Sequence, residues 1–390
     1  MKIQSFAFLA ACAAIGCKAL PCAAGDLDET QDLIWSTDAT SDTPEWDRKF
    51  RGEFSNQDVT ARLEKMPAHD YLQISFQLFI LRSWDGMARS NNGRSRMGPD
   101  FIRAGLDDGR TLLHAVFSNT PVYPGFSAEA TWQTYPSPMP GDRSPYMTGA
   151  DLKNSLGYFF FSNPSPPHPM RQDAIYTLKM LVPHSADKVM FHVRGMGLQA
   201  ITDESWGIAD LHITPLAKAA NQIPVPAGTA ITLESHDGAK SIIVLPDIAS
   251  VFQTACGHDA MAANTAYWRL VSGGDATAEY LAKNVKARAV DAAKIKELVT
   301  AIYEKDAPQN ENDPRVKSLL ALGPTIEPVV RELRDESMET PSRLDFALME
   351  ISATAIDDAS TREWMLATRI LDAIATPRAK EVRTALMAGK

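Results

Sequence analysis

Two short motifs combine an indole with carboxylates, Ser83-Trp84-Asp85-Gly86 and Asp203-Glu204-Ser205-Trp206-Gly207. Each closes a stretch that reads as a strand, so their side chains would project from strand ends onto turns. An aromatic plate beside carboxylates can stack a sugar ring, and carboxylate oxygens on turns can ligate a hard cation such as calcium. The expected calcium ligands are Asp85, Asn91, Asp100, Asp203 and Glu204, and the expected ligand-stacking rings are Trp84, Trp206 and Trp132. A structural reading stands beside this one: Asp85 and Asp203 cap turns with their own side chains, while Trp84 and Trp206 plug the ends of a core.

Catalysis finds little to work with. The eight histidines are scattered, and neither H-E-x-x-H nor G-x-S-x-G occurs. His192 and His212 read as residues of neighbouring strands, where a metal-ligand role is weighed against an ordinary structural one. Glycoside hydrolysis needs two carboxyl groups roughly 5 to 9 Å apart across a cleft. Glu204 with Asp85 is a conceivable pair, but nothing in the spacing selects it over a turn. The chain therefore reads as a non-catalytic binding protein for a polysaccharide or cell-surface protein, with a carbohydrate-active hydrolase or a purely structural envelope protein as alternatives.

The N-terminus carries Met1-Lys2, an apolar run from Phe6 to Gly16 and the small-residue stretch Pro21-Cys22-Ala23-Ala24-Gly25. This pattern predicts a secretory signal cleaved near Ala24, its apolar run being too short to span a bilayer, and hence a secreted or periplasmic protein. Ala14-Ile15-Gly16-Cys17 also looks like a relaxed lipobox, which would make Cys17 the lipidated first residue of an envelope-anchored protein. Cys12, Cys17 and Cys22 fall in the leader, leaving Cys256 alone and no internal disulfide to expect. A formal net charge of -9 argues against nucleic acid, which needs basic surface to displace phosphate counterions. Arg89, Arg94 and Arg96 form no stripe, because Ser90, Asn91, Asn92 and Gly93 interleave them.

The elements that must position these residues change period along the chain. Residues 25–215 show all-β patterning, clearest from Tyr71 to Leu81, where Leu72, Ile74, Phe76, Leu78 and Ile80 share one face. Further strands are expected at Asp58 to Leu63, Thr111 to Phe117, Ala174 to Leu181, Lys188 to Gly195 and Ile208 to Ile213, together a two-sheet β-sandwich. Between Asn119 and Arg171 ten prolines exclude continuous regular structure, and Tyr123, Phe126, Trp132, Tyr135 and Tyr146 either pin that loop or meet a ligand. Residues 216–256 read as a linker with a small hairpin, and 257–390 as helices, from Met261 to Val271 through Pro377 to Ala388. Asp275 and Thr325 precede apolar helical runs, and Pro377 after Thr376 marks a first turn.

The β region resembles an exported, planctomycete-type sandwich module. The likeness rests on Pro67-Ala68-His69-Asp70, Ser83-Trp84-Asp85-Gly86, Gly98-Pro99-Asp100, Phe117-Ser118-Asn119, Leu156-Gly157-Tyr158, Pro183-His184-Ser185 and Gly197-Leu198-Gln199 ahead of Asp203-Glu204-Ser205-Trp206-Gly207. It implies a jelly-roll-like extracellular module used for binding or adhesion. Residues 318–328 and 370–379 are similar to the HEAT-like helical tail of other such proteins, which implies a platform for protein interaction.

Overall fold

In the computed structural model of this 390-residue chain, the residues described are 50–87, 99–121, 131–139, 141–159, 171–218, 230–235, 240–244, 247–303, 314–337, 348, 351 and 358–389. The leader with Cys17, Asn91, the arginines 89, 94 and 96, and most of the helix expected from Ser342 to Ile356 lie outside them.

Two antiparallel sheets build the β part. The larger contains β1 (Arg51–Phe54), β3 (Tyr71–Arg82), β6 (Leu152–Lys153), β7 (Asp173–Pro183), β9 (Glu204–Lys218), β10 (Ala230–Ser235) and β11 (Lys240–Val244). Its order is β11-β10-β9-β3-β7-β6, with β1 added to the first half of β9. The smaller sheet runs β2-β8-β4-β5, from β2 (Asp58–Leu63), β4 (Phe101–Leu106), β5 (Thr111–Val116) and β8 (Val189–Met196).

Period 2 in β3 sets which face is dry. Leu72, Ile74, Phe76, Leu78 and Ile80 are buried, whereas Gln73 is exposed and Ser75 and Gln77 are half-buried. Past Leu78 both faces close, because Phe79 and Leu81 enter a second cluster with Phe50, Leu156, Tyr158 and Ile175. Burying each such side chain stabilises the fold by about 1.5–3 kcal/mol. From the smaller sheet, Ala61, Ile102, Ala104, Phe191 and Val193 join the inward residues of β3, and the Phe76 and Phe191 rings lie 5.6 Å apart.

Eight helices follow among the described residues: α1 (Ile248–Ala255), α2 (Ala260–Ser272), α3 (Asp275–Asn284), α4 (Ala292–Tyr303), α5 (Pro314–Leu320), α6 (Glu327–Ser337), α7 (Ala359–Ile374) and α8 (Pro377–Met387). None is long and apolar enough to cross a membrane. The cap at Thr376 with Pro377 at the first turn is as expected, Thr376 Oγ1 accepting from Ala379 N. Asp275 instead lies inside the first turn of α3, where its carboxylate accepts from Thr376 Oγ1 at 2.5 Å.

The stretch 216–256 is more than a linker. Its hairpin forms, but β10 pairs with the end of β9 and so extends the larger sheet, and Asp247 caps α1 before residue 256 is reached. Apolar residues of α1, α2, α3, α7 and α8 belong to the same core cluster as the two sheets, with α2 and α7 against β7. Only α4, α5 and α6, with Leu348 and Ile351, form a separate cluster among the described residues.

Candidate functional site: a buried acid corner

The two indole motifs meet where β3 ends and β9 begins. Across the ladder, Ile80 faces Trp206 and Arg82 faces Glu204. Arg82 turns the chain with φ 70°, and Ser83 then bonds Asp203, its N–H donating to the backbone oxygen at 3.0 Å and its hydroxyl to Oδ1 at 2.5 Å. Trp84 Nε1 donates to Ser205 O at 2.8 Å and Trp206 Nε1 to Ser55 O at 2.6 Å. Both rings are 0% exposed. The corner admits the Trp206 ring because residue 195 is glycine: a Cβ there would lie 2.5 Å from Trp206 Nε1. Neither indole offers a face to a ligand, so the stacking expected of Trp84 and Trp206 gives way to the core-plugging reading.

The carboxylates behave differently from one another. Asp85, Asp100 and Glu204 are brought together and buried. Asp85 N donates to Asp100 Oδ2 at 2.5 Å, and Thr120 Oγ1 reaches Asp85 Oδ1 at 3.3 Å. Gln199 spans two of the acids, its N–H donating to Glu204 Oε2 at 2.6 Å while Nε2 lies 3.4 Å from Glu204 Oε1 and 3.5 Å from Asp85 Oδ2. Asp100 Oδ1 is buried with no hydrogen-bond partner. Burial first, then the charges of Glu204 and Asp85, pushes Asp100 well above the usual carboxylate range. Glu204 is likewise raised, first by burial and then by Asp85 and Asp203, against the lowering pull of the Gln199 N–H.

Asp203 stands apart, half-buried, with Oδ1 held by Ser83. Asn91 is outside the described residues. Among those described, no three His, Cys, Asp or Glu side chains are arranged to hold a metal ion. Of the five expected calcium ligands, Asp85, Asp100 and Glu204 thus lie together and Asp203 turns to Ser83. Gln199 is the corner residue that motif reasoning passed over. Its signal was its place just ahead of Asp203-Glu204-Ser205-Trp206-Gly207.

Trp132 differs from the other two tryptophans, being only half-buried. Its carbonyl accepts from Met87 N at 2.9 Å, which ties it to the turn at Gly86, where φ is +64°. Beyond it, Tyr135 stacks on Phe117 with centroids 4.8 Å apart and meets Tyr176 edge-on, while Gln133 Nε2 holds Tyr135 O and Thr148 O. Tyr135 thus fastens this proline-rich stretch to the sheets, whereas Tyr146 is exposed and Tyr123 and Phe126 lie outside the described residues. His192 and His212, read as neighbours, sit in different sheets, on β8 and β9.

The three acids of the corner are thus buried, at 0–3% exposure. One surface hollow, of about 580 Å3, lies elsewhere, along α8, lined by Pro377, Lys380, Glu381, Thr384, Ala385 and Ala388. That lining, a single helix face with one cation and one anion, lacks the converging polar groups of a ligand pocket. In comparisons with known proteins, no family model, no curated protein and no solved structure matches this chain.

Proposed function

We propose that this chain is an exported, non-catalytic binding protein of the cell envelope, in which a jelly-roll-like sandwich and a HEAT-like helical tail work as one body. The observation that carries this reading is the sealed corner: Glu204 and Asp100 show no exposed surface and Asp85 almost none, so the acids suited to hydrolysis serve the fold. Half-exposed Trp132 supports a sugar-stacking contact beside that corner, and the helices offer surface to a protein. Calcium enters the reading as support for the corner, where the unpartnered Asp100 Oδ1 is the atom that would welcome a cation. Export rests on the leader pattern alone.

The test is a glycan array and a panel of glycoside and ester substrates, read with the wild-type chain and Trp132→Ala. Glycan retention lost in Trp132→Ala, without turnover on any substrate, is the expected result. Turnover abolished by Glu204→Gln would overturn it in favour of a hydrolase. Neither glycan retention nor a rise in Tm with calcium over chelator would leave the structural envelope reading in its place.

A further inference from the structure

A histidine pair sits where the sheets meet the helices. His69, in the β2–β3 loop, places Nδ1 2.7 Å from Pro67 O and Nε2 2.8 Å from Nδ1 of His184, which follows β7. A carbonyl only accepts, so His69 carries its proton on Nδ1 and its bare Nε2 accepts from His184 Nδ1–H. The rings stack with centroids 5.1 Å apart. In this arrangement His184 Nε2 is the nitrogen left outside the pair, and the site for a further proton.

Next to the pair lies Arg110, 7% exposed, in the turn between β4 and β5. Its Nε bonds Asp108 at 2.8 Å, and its Nη1 donates to Pro183 O at 2.6 Å and reaches 3.5 Å from Ala373 O. Ala373 is in the last turn of α7, where carbonyls lack helical partners and a cation is favoured. One guanidinium thus ties a β-turn, the end of β7 and the end of α7. The titratable and charged groups facing His184 are Arg110, His69, Asp108 and Asp107.

We propose that the His69–His184 pair is an acid-sensitive latch on this junction: protonating half-buried His184 at Nε2 sets a second cation beside buried Arg110 and loosens the hold of Arg110 on the end of α7. Burial acts first on His184, and Arg110 and His69 add to it, lowering it from the usual 6.5 to about 4 against the opposing pull of Asp108 and Asp107. The unfolded chain therefore binds more protons than the native one between those values. The contribution of the latch is complete above pH 6.5 and is lost as pH falls toward 4.

The test is urea unfolding of the full chain from pH 4.5 to 7.5, wild type against His184→Gln, with hydrogen exchange read at the last turn of α7. The wild type should lose about ten- to a hundredfold in its folding constant on acidification beyond any loss in the variant, and exchange corrected for intrinsic rate should rise at α7 first. Parallel pH profiles for the two proteins would overturn the proposal. Should His184→Gln not fold, NMR titration of His184 in the wild type decides: a midpoint well below 6.5 upholds the latch, and one near 6.5 removes it.

Discussion

Trp84 and Trp206 show how a residue type suited to recognition becomes a structural one. Each indole N–H is matched to a backbone carbonyl, Ser205 O and Ser55 O, which is the condition for burying a ring with a polar edge. Trp206→Ala should cost about 3–5 kcal/mol of unfolding free energy, measured by urea titration, because it removes a core ring and leaves a cavity. Acrylamide should quench Trp132 in preference to the two buried indoles, as single-tryptophan variants would report. Asp173 makes the same point for a carboxylate. Its oxygens accept from the backbone N–H groups of Ser155, Leu156, Gly157 and Tyr158 at 2.6–3.3 Å, so Asp173→Ala should cost about 1–3 kcal/mol by leaving buried donors unmet.

At the scale of elements, much was legible because period betrays burial. The expected strand at Asp58 to Leu63 matches β2, and the run from Tyr71 is β3, extended by one residue to Arg82. The helix limits from Met261 and Pro377 lie within a residue of α2 and α8. What escaped notice lacks such a period. Phe101–Leu106 is buried on both faces and so shows no alternation, and β1 is held by its pairing with β9, a contact distant in sequence. The corner was half legible: Asp85, Asp100 and Glu204 could converge if the two tryptophan motifs ended adjacent strands, a condition spacing alone does not settle, and the burial of their tryptophans depends on β1, β8 and β9 arriving together. Gly195→Ala tests that closeness. A methyl 2.5 Å from both Ser55 O and Trp206 Nε1 must shift one of them, and a Tm fall of several degrees is expected by calorimetry.

Over the whole molecule, the boundary expected near residue 256 is bridged by polar as well as apolar contact. Arg362 of α7 pairs with Asp142 through two bonds of 2.6 Å and also donates to Cys256 O and Gly257 O, with only 4% of its side chain exposed. Asp142→Ala strands that charge in the interior and should cost about 3–5 kcal/mol, whereas trimming an exposed pair such as Lys294 with Glu297 should change stability by about 0–1 kcal/mol. A chain truncated after residue 256 uncovers β7, so it should unfold at lower denaturant than the full protein or aggregate.

The Arg110 bond to Ala373 joins residues 263 positions apart. As the ribosome makes this chain from its N-terminus, every described strand has emerged well before α7 exists. The nascent β part thus waits, with a greasy flank bare, for α7 to appear. Partly made chains should be held by chaperones until residue 374 clears the exit tunnel, and a stall placed just before α7 should prolong that hold.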